Sequence, residues 1–226
     1  MTALGILTIG QAPRPDRLAH DVAAAAGTDV RAVERGALDG LDAAAVRALA
    51  PREQDDVLVT MLRDGTSVQV GKAAILDRLQ DRIERLEGED AVDATLLLCT
   101  GNFPPFRHRR PLLRPQAGLY GATRALAGTG RVASMIPVPT QRGQVRRDWR
   151  ALGVEDPLLV CADPYGPDPE TAVAGAASEA RDAGAAALLL DCFGYSPAMR
   201  RSARDAFGAE VLLARTLAAR IAVELA

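Results

Sequence analysis

The stretch GAAALLLDCFGYSP, residues 184–197, runs from small residues through three leucines and stops on an acid, a thiol, an aromatic, a glycine and a proline. A short continuous apolar run closed by turn residues reads as a strand buried on both faces, as in a parallel sheet. Upstream, ATLLLCTG (residues 94–101) repeats the pattern. Each run follows a helix and a turn, and each ends on a cysteine with a glycine two residues later: Cys99 with Gly101, Cys192 with Gly194. A second pair of segments matches in the same way: GILTIGQAPR (5–14) and VASMIPVPTQR (132–142) each join a buried strand to a proline-bearing loop. The chain therefore reads as two related α/β halves, an internal repeat in which the first half carries extra residues.

Between these anchors, apolar runs alternate with amphipathic stretches, the βαβα pattern of a parallel sheet. Strands are expected over residues 3–10, 29–38, 94–99, 131–138, 157–164, 185–191 and 210–214. Helices are expected over 16–26 (ended by Gly27), 72–87, 116–127, 141–152, 170–183, 198–207 and 215–225. Residues 56–70 place Asp64-Gly65 between two strand-like runs, which predicts a hairpin and accounts for the extra length of the first half. Residues 100–114 read as a proline-rich loop. A (β/α)₈ barrel is the competing topology, and the strand count favours two lobes.

Net charge is −2 with acids and bases interspersed, and aromatics are only 4%, so the basic, aromatic-studded stripe of a nucleic-acid binder is not there. The cluster RHRRPLLR (107–114) reads as a solvated loop. The apolar runs fall well short of the ~20 residues that cross a bilayer. No signal peptide is read, because the opening strand meets prolines and charges by Arg14. Three cysteines without a CxxC pattern argue against a disulfide framework or a zinc site, and point to a reducing cytoplasm.

Ligands of open parallel sheets bind beyond the carboxyl ends of the strands. Cys99 and Cys192 stand there at matching places, so if the halves face each other the two thiols flank one cleft. Two opposed thiols suit one chemistry: one takes a proton from a carbon beside a carboxyl or carbonyl, and the other returns a proton to the opposite face. Such a reaction needs no metal and no cofactor, but it needs donors for the enolate oxygens. Loop amides and the hydroxyls of Thr8, Thr100 and Ser196 are the candidates, with Arg14 placed to grip a carboxylate in bidentate fashion. Space-filling is the alternative for any buried cysteine, and Cys161, which also ends a strand but has no matching thiol, is the internal control. Asp191 reads as an orienting group or a helix cap. His20 and His108 form no dyad.

The segments ILTIGQAPRPD (6–16), ERGALDGL (34–41), SVQVGKAAILDRLQDRIERL (67–86) and LLLDCFGY (188–195) resemble the AroM family. That family is similar to the aspartate/glutamate/hydantoin racemase superfamily. The resemblance implies one unit over 1–226, built of two pseudo-symmetric Rossmann-like lobes: residues 1–114 with the C-terminal helix, and 115–210. It implies catalytic cysteines at Cys99 and Cys192; the residues read as holding the ligand around them are Thr8, Gln11, Arg14, Thr100, Gly101, Asn102, Gly194 and Ser196. The chain departs from the amino-acid racemases: Thr100-Gly101-Asn102 follows the first cysteine where those enzymes have Asn-Thr, and Phe193-Gly194 follows the second where they have Thr-His. The implied activity is a cofactor-independent racemase or isomerase acting on a small carboxylate or cyclic amide, with a homodimer possible. A decarboxylase or a non-catalytic small-molecule sensor on the same scaffold stays open.

Overall fold

The computed structural model describes residues 2–26 and 30–225. The expected helix end at Gly27 and strand start at Asp29 lie outside them. In chain order the elements are β1 (Thr2–Thr8), α1 (Leu18–Ala26), β2 (Val30–Gly36), α2 (Ala43–Ala48), β3 (Val57–Met61), β4 (Ser67–Gly71), α3 (Leu76–Gly88), β5 (Ala94–Leu98), β6 (Leu112–Leu113) and α4 (Gln116–Ala127). They continue as β7 (Arg131–Ile136), α5 (Arg142–Ala151), β8 (Leu158–Cys161), α6 (Pro169–Asp182), β9 (Ala185–Leu190), α7 (Pro197–Phe207), β10 (Glu210–Leu213) and α8 (Ala214–Val223), with single 3₁₀ turns ahead of α3 and α5. The chain divides into two units, Met1–Pro115 with Ala218–Ala226, and Gln116–Leu217.

The first unit carries the parallel sheet β2-β1-β5-β6, and the second the parallel sheet β10-β9-β7-β8. Read from opposite ends, the two orders are the same: second strand, first, third, fourth. β1 thus corresponds to β7 and β5 to β9, the pairings that the sequence repeat suggests. These sheets replace the closed ring of a barrel.

Burial explains the strand composition. Every residue of β5 is buried, as are the four that end β9. In the first unit, Leu7, Ile9, Leu97 and Val92 pack with Leu79, Ile83 and Leu86 of α3. That helix puts leucine or isoleucine on one stripe, with Asp77 in its first turn and Arg85 in its last, matching the helix dipole. In the second unit, Leu188 and Leu190 pack with Val173, Ala177, Ala203 and Phe207 of α6 and α7. Asp168 caps α6 ahead of Pro169, and Ser196 caps α7 ahead of Pro197.

The antiparallel hairpin β3–β4 forms as the Asp64-Gly65 pair predicts. Gly65 has φ +90°, which an L side chain tolerates poorly, and Thr66 N donates to Asp64 Oδ1 at 2.8 Å to close the turn. The hairpin braces the loop after β1: Gln11 N donates to Met61 O, Arg63 N to Gln11 Oε1, and the Arg63 guanidinium to Ala12 O.

Arginines cover the carbonyls of three outer strands. Arg82 donates to Gly36 O on β2, Arg142 to Leu159 O on β8, and Arg200 to Val211 O on β10. Among the described residues no helix is long and apolar enough to cross a membrane.

Candidate functional site

Each unit presents a cysteine turn at the carboxyl end of its third strand. In the first, β5 stops at Leu98 and the Gly101 amide donates back to Cys99 Sγ at 3.4 Å. In the second, β9 stops at Leu190 and the Gly194 amide donates back to Cys192 Sγ at 3.3 Å. Cys99 packs with Leu97 against the cluster that includes α3, and Cys192 with Leu190 against the cluster that includes α6 and α7. Both thiols are partly buried. An amide that donates to sulfur favours its charged form, which is the nucleophile and the base.

The surroundings of the two turns differ. A Cβ on Gly101 would come within 3.3 Å of both Leu58 Cδ2 and Phe103 Cε2, so the Cys99 turn has hydrocarbon walls, one of them from the hairpin. Thr100 is half-buried and Asn102 exposed, and Lys72 Nζ donates to the Asn102 carbonyl at 3.0 Å.

Tyrosines hold the Cys192 turn. The Tyr195 hydroxyl donates to Ala162 O at 2.7 Å, tying the turn to the loop after β8. Tyr165 in that loop lies back against Gly194, where a Cβ would meet its Oη at 2.5 Å. Each loop thus supplies one phenol to the backbone of the other. Burial pushes Tyr195 well above the ordinary phenol range, and Cys192 and Cys161 beside it add to the effect. Behind the turn, the fully buried Arg215 donates to Phe193 O from Nε at 3.1 Å and from Nη2 at 2.7 Å, and to Gly194 O at 3.2 Å.

Asp191 caps no helix; Ser196 does that for α7, accepting from Met199 N at 3.2 Å. The Asp191 side chain, 4% exposed, instead accepts from the Tyr120 hydroxyl. Tyr120 stacks on Trp149 with ring centres 4.0 Å apart, and Trp149 donates to Ser134 Oγ. Burial, and then the Asp191 carboxylate, hold the Tyr120 hydroxyl far above its ordinary range and therefore neutral.

The other predicted ligand residues are engaged within their own unit. Thr8 Oγ1 accepts from Gly10 N, and Gln11 Nε2 donates to the carbonyls of Leu38 and Leu41. Arg14 is 8% exposed, its fork set bidentate on Asp16 at 3.0 and 2.6 Å with a further bond to Thr60 Oγ1. Cys161 ends β8, and burial pushes its thiol up while Arg142 opposes. His20 and His108 are exposed and outside both turns. Sequence reasoning passed over Tyr165, Tyr120 and Arg215. The signal for Arg215 was an arginine directly after the apolar run EVLLA, where a charge has to be buried with partners.

The chain matches the family described as AroM protein over residues 4–226. No curated protein matches it. Solved structures with a similar fold include Picrophilus torridus aspartate racemase (TM-score 0.60, 11% identity, 99% of this chain and 94% of that chain covered). Allantoin racemase from Pseudomonas fluorescens gives a TM-score of 0.63 at 14% identity, covering 99% and 90%. Arylmalonate decarboxylase gives 0.62 at 12%, covering 99% and 91%. At these identities the likeness is one of fold.

Proposed function

The chain belongs to the AroM protein family, and from that premise we propose that it is a cofactor-independent racemase or isomerase of small carboxylates or cyclic amides, with Cys99 and Cys192 as its acid/base groups. One observation carries the reading: at the ends of equivalent strands in two sheets of the same order, a thiol is followed by a glycine whose amide donates to the sulfur. A donor aimed at each sulfur supports the reading, because only the thiolate removes a proton and an N–H donor stabilises that charged form.

The chemistry follows. One thiolate takes the proton from the carbon beside the carbonyl, and the electron pair moves into an enolate. The other thiol returns a proton to the opposite face. Loop amides with Thr100 and Asn102 are the proposed ligand contacts on the Cys99 side. Thr8, Gln11, Arg14 and Ser196 are proposed to act by holding the loops, since their polar groups have partners within the protein. Gly101 and Gly194 supply the amides that donate to the two sulfurs.

The test is a screen of amino acids, hydantoins and small dicarboxylates for racemisation, followed by Cys99→Ser and Cys192→Ser. Each substitution should lower turnover by about 10²–10⁴-fold, the contribution of a positioned acid/base group. In D₂O each variant should exchange the α-proton of only one enantiomer. Wild-type turnover in both variants would sink the proposal. Loss in one variant alone, with release of CO₂, assigns the chain to decarboxylation. Binding without turnover assigns it to the sensor class.

A further inference from the structure

The Phe193–Gly194 peptide has a buried cation at one end and a thiol at the other. Its carbonyl accepts two bonds from Arg215, at 3.1 and 2.7 Å, and its N–H donates to Cys192 Sγ at 3.3 Å. Arg215 is 1% exposed. A full charge is kept in the interior only against partners that repay its desolvation, and here those include two backbone carbonyls of one turn. A cation on a peptide oxygen pulls electrons toward it and makes the N–H of the same peptide a stronger donor; such coupling along a chain of hydrogen bonds is worth about 10–30% per bond.

We propose that Arg215 is a positioning residue for Cys192, acting through the Phe193–Gly194 peptide to stabilise the thiolate. It fixes the peptide plane so that the N–H points at sulfur, and it polarises that N–H when the sulfur is charged. No proton moves along the peptide; the cation only biases the ionisation of the thiol. The inference rests on the reading of Cys192 as the reactive thiol of its unit.

The titratable groups around this turn all bear on the buried Tyr195 phenol: Cys192 in its own turn, Cys161 at the end of β8, Tyr165 in the loop that follows, and Asp191 on the other side of the strand. Of these, the Asp191 carboxylate opposes a second negative charge nearby, while the Tyr195 phenol, held neutral by burial, adds none. Arg215 supplies the cation within this set that reaches the turn by direct hydrogen bonds.

The experiment reads the thiol and needs no substrate. In a Cys99→Ser/Cys161→Ser background, Cys192 is alkylated with iodoacetamide across the thiol pH range and followed by mass spectrometry, for Arg215, Arg215→Lys and Arg215→Met. Arg215→Met should move the midpoint up by about one pH unit, a tenfold change in the ionisation equilibrium. Arg215→Lys keeps charge but loses the fork and should move it by about half as much. Wild-type midpoints in folded Arg215→Lys or Arg215→Met overturn the proposal. Should neither variant fold, the parent protein decides by NMR: the Gly194 amide and Arg215 Nε–H resonances should titrate with the alkylation midpoint and cease to do so in Cys192→Ser. Resonances that stay flat overturn it equally. Turnover enters nowhere, so failure of the racemase reading leaves this result standing, and the reverse.

Discussion

The Tyr120 hydroxyl donates to Asp191 Oδ2 across 2.8 Å, where both side chains are almost closed to water. The two residues that follow β9 therefore send their polar side chains to opposite faces, the Asp191 carboxylate toward α4 and the Cys192 thiol toward α6 and α7. Removing the phenol oxygen alone leaves a buried carboxylate short of a donor. Tyr120→Phe should cost about 1.5–3 kcal/mol, the worth of a hydrogen bond to a charged group. The Trp149 stack should survive. Urea unfolding of the variant checks this, and an unchanged midpoint would show that the bond contributes nothing.

Gly194 should tolerate no side chain. A Cβ there would sit 2.5 Å from Tyr165 Oη and 2.8 Å from Pro164 Cγ. Gly194→Ala should destabilise by about 1–3 kcal/mol through overpacking and should slow Cys192 alkylation. Gly121, in α4 with nothing within 4 Å of its added Cβ, is the control. Gly121→Ala should stabilise by about 0.4–1 kcal/mol. Thermal melts that rank the two variants the other way would show that the clasp is loose.

Glu34 sets a pH dependence. Burial raises its carboxyl above the ordinary 4.5, while the Arg14 amide pulls in the other direction. Between the ordinary value and the raised one, the native state binds more protons than the unfolded chain, so the Glu34 contribution to stability falls as pH rises through that window. Glu34→Gln removes the penalty. It should be more stable than wild type at neutral pH and no better below the window, as judged by denaturant midpoints on either side. A constant difference at both pH values would refute the linkage.

Cys161 is the control thiol. Burial pushes it up, with Asp163 and Glu179 adding and Arg142 opposing. It should be alkylated more slowly than an exposed thiol at mildly alkaline pH, and Cys161→Ser should leave turnover on any substrate found at the wild-type level. A large loss of turnover would make the pairing of Cys99 with Cys192 incomplete.

The strands were legible because continuous apolar runs leave few alternatives, and the hairpin because Asp-Gly dictates its turn. Helix α2 was not, since DAAAVRALA has no periodic apolar face; Asp42, accepting from Ala45 N, defines its start. Strand β6 is two leucines inside an arginine cluster, and pairing with β5 makes them a strand. For the site, the thiols were visible as a repeated residue type at repeated places. Their partners were not. The Gly101 and Gly194 amides gain meaning only once the turns bend back on sulfur, and Arg215 reaches its turn from 22 residues along the chain. Arg14 illustrates the limit: a buried fork suits a carboxylate, and the sequence does not say that Asp16, two residues away, supplies one.

The guanidinium groups on Gly36 O, Leu159 O and Val211 O also bear on how the protein behaves among its own copies. An outer strand with vacant acceptors is a template: an unfolding neighbour, or any extended peptide, adds to it by backbone pairing. Here an incoming strand must first displace a charged donor, then leave that charge beside its own backbone. In a chain this rich in leucine and alanine, such blocking favours a discrete particle over a growing ribbon, whatever chemistry the thiols perform.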